Sequence, residues 1–138
     1  MIPDAALCRY RDSQGGPYLG LIANGQLYNL TATGRAEYAT MEAWLQAATG
    51  RVSAALADAL AIPANAQPVG PAADLLAEDT GLQVLAPLDT QEVWACGVTY
   101  EMSRAARMRE SQQPTIYGKV YDAPRPEIFF KATPNRVV

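Results

Sequence analysis

The sequence contains no histidine. Histidine supplies most general bases that work near neutral pH and many transition-metal ligands, so neither a Ser-His-Asp nor a Cys-His centre can be assembled from these residues. Any chemistry falls to carboxylates, Lys, Arg, Tyr or Ser. Cysteine is nearly as scarce. Cys8 and Cys96 stand far apart and outside any CxxC spacing, which argues against a disulfide framework or a zinc knuckle. Both read as small, buried strand residues. An excess of positive charge is missing too: 11 Lys and Arg against 14 Asp and Glu leave a net charge of -3 and a pI of about 4.8. Such a chain has no electrostatic footprint for nucleic acid or an anionic membrane. No apolar run approaches the roughly 20 residues that span a bilayer, and the start, MIPDAALCRYRD, lacks the apolar stretch of a signal peptide. The expected compartment is the cytoplasm. Phosphate-binding fingerprints, internal repeats and low-complexity tracts are also absent, and Glu37, Glu42, Glu78 and Asp79 fall into no metal-ligand spacing.

What remains is the composition of a globular protein, 49% hydrophobic and 18% charged over 138 residues. That is enough for one ordinary domain, or for a small domain and part of a second. The first third reads as a β-meander. Leu7, Arg9 and Arg11 alternate with Cys8 and Tyr10, as in a half-buried strand, and SQGGP at 13–17 ends the run. YLGLIA and QLYNL flank Asn24-Gly25, the dipeptide that tolerates the two positive φ angles of a type I′ hairpin turn. Thr40 is placed to cap a helix that buries Met41, Trp44, Leu45 and Ala48 and stops before Gly50. Val52, Leu56 and Leu60 predict a second short helix, and the two would cover one face of the meander. IPANAQPVGPAAD, 62–74, reads as a loop, followed by the short stretch LQVLAPL.

After Asp89-Thr90 the character changes. EVWACGVTY is a nearly continuous apolar strand, the pattern of burial on both faces. A helix over 101–111, a turn or helix at TIYGKVY, the proline-bracketed connector DAPRP and the strand EIFFKAT follow. The final NRVV is apolar and carries no turn or cap. The boundary between domains falls within 86–90, giving an N-terminal α+β domain over 1–88 and the start of a second over 89–138.

Three groups of residues offer chemistry. Ser103 and Arg107 are four apart and Arg104 and Arg107 three apart, so hydroxyl and guanidinium groups project from neighbouring helical rows. Two arginines beside a strand end suit bidentate capture of a carboxylate, but composition alone favours a solvated surface helix in which Glu101 and Glu110 balance the arginines. In RPEIFFK, strand alternation puts Glu127, Phe129 and Lys131 on one side. Glu127 and Lys131 are then about 13 Å apart, too far to pair directly, yet able to line one pocket. The bland alternative is an edge strand with solvated charges. Tyr117 and Tyr121 share a helical row and could wall a pocket, but the pattern favours core positions.

The run LAPLDTQEVWACGVTYEMSRAARMRES, followed by YDAPRPEIFFKATPNRVV, resembles the entry into the catalytic domain of the fumarylacetoacetate hydrolase superfamily, in particular its branch of 2-keto-3-deoxy-D-arabinonate dehydratase type. The likeness covers 85–138; before that only a small β-rich N-terminal domain is matched in kind. It implies an α+β protein in which a β-rich N-terminal domain with short helices precedes the beginning of a mixed β-roll catalytic domain. It also implies one divalent ion, Mg²⁺ or Mn²⁺, held by carboxylates downstream of the matched strand. On that reading the chain is the N-terminal portion of a longer metal-dependent lyase and holds no metal by itself. The hydrolases of the superfamily carry a His-Glu dyad on a lid helix, where this chain has Ser103 and Ala106. This departure favours dehydration of a 2-keto-3-deoxy sugar acid over hydrolase or acylpyruvase chemistry. The resemblance assigns proton transfer or water orientation to Glu127, support of an anionic intermediate to Lys131, and substrate contacts to Thr99, Ser103, Arg104 and Arg107. The expected partners are a small 2-keto acid and further copies of the chain, as a homodimer or higher oligomer. A non-catalytic folding or assembly module is the competing expectation.

Overall fold

The structure, a computed structural model, describes residues 3–137; the first two residues of the MIPDAALCRYRD start and the last of NRVV lie outside them. The fold is α+β, and the chain divides into one unit running to Thr90 and a second over Gln91–Val137.

In the first unit β1 (Ala5–Asp12), β2 (Gly15–Ala23), β3 (Gln26–Asn29), β4 (Gly70–Pro71) and β5 (Gln83–Leu85) form one antiparallel sheet, ordered β4-β3-β2-β1-β5. The hairpin at Asn24-Gly25 forms as its sequence requires, with φ of 51° and 75° and Ala23 facing Gln26. Alternation along β2 sends side chains to both faces. Leu19, Leu21 and Ala23 meet α1 (Met41–Ala48) and α2 (Val52–Leu60) on one side. On the other, Tyr10, Ile22 and Leu27 pack against Ala72 and Leu75. Those two residues come from a 3-10 helix over Ala72–Leu76, so the Pro- and Ala-rich segment expected as plain loop closes half of the core. A single turn is too short to show helical periodicity. Gly20 lies where the second layer is tightest, since an added Cβ would meet Cys8 Sγ and Leu27 Cδ1 at 2.9 Å.

Thr40 caps α1 by accepting the Ala43 N–H at 3.0 Å. Met41, Trp44 and Ala48 are buried as predicted, but Leu45 is half exposed. The α2 stripe differs more: Val52 and Leu60 are exposed, and Ala55 and Ala59 are the buried residues. Alanine lets a short helix come close to its neighbours, and the larger side chains then fall at the margins.

The second unit holds β6 (Val93–Gly97) and β7 (Glu127–Ala132), an antiparallel pair joined through α3 (Glu101–Glu110) and α4 (Pro114–Tyr121). None of its described residues is buried. This corrects the expectation that EVWACGVTY is covered on both faces and that Cys96 is interior: Trp94 is 57% exposed and Cys96 is exposed. A two-stranded ribbon has no second layer to cover it. Tyr117 is half-buried and Tyr121 exposed, so neither is a core residue. Among the described residues no helix is long and apolar enough to cross a membrane.

Candidate functional site

The junction between β6 and α3 is compact and strained. Gly97, the last residue of β6, faces Glu127 across the ribbon. Val98 then adopts a φ of 48°, a conformation in which a β-branched residue costs about 1–3 kcal/mol. The kink lets the chain turn through Thr99 and an extended Tyr100 into α3 within three residues. Gly97, Val98, Thr99, Val120, Tyr121 and Pro126 line a shallow cleft of about 390 Å³. Nothing in the sequence marks Val98, because a left-handed position is ordinarily signalled by Gly, Asn or Asp.

Thr99 and Glu127 therefore share one end of the ribbon: Thr99 lines the cleft, and Glu127 follows its Pro126 wall. Lys131 is elsewhere. The pairs Trp94–Phe130 and Val93–Ala132 leave it as the extra residue of a bulge at the far end of β7, which breaks the two-residue repeat that groups it with Glu127. Both side chains are exposed.

Arg104 and Arg107 of α3 already have partners. Arg104 donates Nε to Glu101 Oε2 at 2.8 Å and Nη2 to Glu101 Oε1 at 2.5 Å, a two-pronged pair. It also lies 5.4 Å from the ring centre of Tyr121, which ties α3 to α4. This hydrogen-bonded pairing lowers the Glu101 pKa and raises that of Arg104. Arg107 makes one contact, to Glu110 at 3.2 Å, and both side chains are well exposed. Arg107 is thus the more available anion ligand; Arg104 is held. Ser103 is exposed one turn before Arg107.

The described residues bring together no group of three His, Cys, Asp or Glu side chains able to hold a metal ion. What the junction does present is a hydroxyl, a carboxylate and, on the adjoining helix, an exchangeable guanidinium. These are the group types that bind a hydroxylated anion, and of the three only Thr99 lines the cleft itself. These features define an α+β chain with a shallow cleft at a strand-to-helix turn.

Comparison with known proteins gives that class a direction. The chain is 60% identical over 52 residues to a protein of Haloferax volcanii described as "Probable 2-keto-3-deoxyxylonate dehydratase", covering 38% of this chain and 18% of that protein. It is 52% identical over 61 residues to the 2-dehydro-3-deoxy-D-arabinonate dehydratase of Saccharolobus solfataricus, covering 41% and 20%. The chain thus shares partial homology with sugar-acid dehydratases of the fumarylacetoacetate hydrolase superfamily and spans about a fifth of the length of these relatives. No family model matches, and no solved structure does.

Proposed function

We propose that this chain forms part of a dehydratase acting on a 2-keto-3-deoxy sugar acid of pentonate type. The observation that carries the reading is its similarity to two proteins named for that chemistry. The junction supports it in kind. Thr99 and Arg107 serve as contacts for hydroxyl and carboxylate groups, with Ser103 beside Arg107 on α3. Glu127 is the candidate for proton transfer or for orienting water, and Lys131, given the bulge, acts only if β7 rearranges or the substrate reaches along it. Arg104 positions α3 against Tyr121 while it is paired with Glu101. A divalent ion, Mg²⁺ or Mn²⁺, belongs to this proposal for the longer enzyme. The described residues offer no donor set for it, and no role above is routed through one.

The test is dehydration of a 2-keto-3-deoxy pentonate, with Mg²⁺ present, by the longest polypeptide that carries this segment. Loss of substrate should be measurable, and Glu127→Gln should slow turnover about 100-fold or more with folding intact. Absence of turnover in the parent overturns the reading; near-normal turnover in the variant removes Glu127 from the mechanism.

A second reading, self-association, rests on a separate observation. Trp94, Ile128 and Phe130 share one face of the ribbon and are 57%, 61% and 48% exposed, an apolar face of the kind that pairs with another copy. Sedimentation should show a concentration-dependent rise in mass that Trp94→Ser abolishes; a monomer at all concentrations refutes it.

A further inference from the structure

We propose that the first unit carries a small-molecule site of its own, taking an uncharged, polyhydroxylated ligand of monosaccharide size. Two adjoining clefts, of about 570 and 240 Å³, share Arg35 and Asp58 in their walls. The larger falls within the about 300–1,000 Å³ usual for small-molecule sites. Its apolar surface comes from Ala61, Ile62 and Ala66, and its polar groups include Asn29, Asn65 and Gln67. A sugar ring presents the complementary pattern, with C–H bonds on its faces and hydroxyls around its edge.

The charged groups keep hydrogen-bonding capacity in reserve. Arg35 places Nε and Nη2 on a single oxygen, Glu37 Oε1, at 2.8 and 2.5 Å. Its Nη1 makes no hydrogen bond among the described residues. Arg51 reaches Asp58 through Nη2 and Oδ2 at 2.6 Å, and Asp58 Oδ1 makes no hydrogen bond among the described residues. Arg35 also lies 4.9 Å from the ring centre of Tyr38, so its plane is steadied without consuming donors. In the smaller cleft the indole of Trp44, 7% exposed, has an Nε1–H that is buried and without a partner among the described residues. A buried donor left unpaired costs about 1–3 kcal/mol, a cost relieved where the wall opens far enough for a ligand oxygen to reach the N–H.

Charge decides the ligand class. Arg35 and Arg51 are matched by Glu37 and Asp58, so the site offers no net charge to an acid or an amine. It offers directional donors and acceptors instead, which hydroxyl groups, each able to donate and accept, satisfy best. The experiment is an amide-resolved NMR titration of the 138-residue chain with xylose, and separately with xylonate and glycine. Xylose should shift the amides of Asn29, Thr33 and the 61–67 segment saturably, and Asp58→Ala should weaken binding about tenfold or more. If Asp58→Ala fails to fold, Gln67→Ala, which removes an exposed side chain from the lining of the larger cleft, supplies the same reading. The proposal is overturned if xylose causes no saturable shift, if only xylonate or only glycine binds, or if both folded variants bind xylose as the parent does.

Discussion

Arg9→Met should destabilise the first unit by about 2–4 kcal/mol. The figure follows from what Arg9 holds. It projects from β1 on the side of Leu19, its cross-strand partner, and its Nε pairs with Asp89 Oδ1 at 2.9 Å, with side-chain exposures of only 13% and 12%. Its Nη1 donates to the carbonyl oxygens of Ala86, at 2.7 Å, and Leu88. The other oxygen of Asp89 accepts the Glu42 N–H at 2.7 Å in the first turn of α1, and Thr90 donates to Glu42 Oε2 at 2.9 Å. One guanidinium therefore fastens 86–90 to the sheet while its carboxylate partner fastens the same segment to a helix start. Hydrogen bonds to charged groups are worth about 1.5–3 kcal/mol each, and losing one partner of a fully buried pair costs about 3–5 kcal/mol. Partial burial brings the expectation below that upper range. Urea unfolding followed by Trp fluorescence and far-UV circular dichroism measures it, with limited proteolysis reporting release of 86–90. Arg9→Met combined with Asp89→Leu should cost less than the sum of the single changes, because both remove the same ion pair. A change below about 0.5 kcal/mol in Arg9→Met, the scale of an ordinary surface substitution, with 86–90 still protected, would refute the reasoning.

Gly20→Ala should lower stability by about 1–3 kcal/mol, since its Cβ meets Cys8 Sγ and Leu27 Cδ1 at 2.9 Å; a neutral urea midpoint would show that the second layer yields without cost. Cys96 is exposed, whereas burial pushes the Cys8 thiol up to about 11, so at pH 8 a maleimide should label Cys96 first and Cys8 only on unfolding. Equal rates, read by mass spectrometry of peptides, would contradict the packing of Cys8, on β1, against the second core layer. Val98→Gly should stabilise the second unit by about 1 kcal/mol by relieving the positive φ, seen as slower amide exchange in α3; faster exchange would mean that the valine side chain contributes more than its strain costs.

The legible parts of the fold are those in which a local rule acts alone. Asn24-Gly25 admits one turn type, and Thr40 with the Met41, Trp44 and Ala48 stripe admits one helix start. Illegible were the places where packing chose between local options. In α2, alanines rather than Val52 and Leu60 became the contact surface, because approach distance outweighed side-chain size. In Ala72–Leu76 one turn of 3-10 helix closed a core without any periodic pattern. At the candidate site, the spacing of Ser103, Arg104 and Arg107 was readable, but the capture of Arg104 by Glu101 and Tyr121 depends on side-chain geometry. The bulge at Lys131 was equally hidden, since an extra strand residue leaves the composition unchanged.

The two units also differ in what fixes their geometry, and this bears on the proposed chemistry. The first unit has apolar layers on both sides of its sheet, with Tyr10, Leu21 and Leu27 fully buried, and each such side chain adds about 1.5–3 kcal/mol. The second has no buried described residue. Glu127 is held opposite Gly97 by strand pairing, and Thr99 is placed by the kink at Val98, rather than either being fixed by a core. Proton transfer needs its groups placed to a fraction of an ångström, and a two-stranded ribbon is marginal by itself in water. Covering the Trp94, Ile128 and Phe130 face is therefore the physical step that would turn this arrangement from a loosely held set of groups into a working site. Burial there would stiffen the same two strands that carry Gly97 and Glu127.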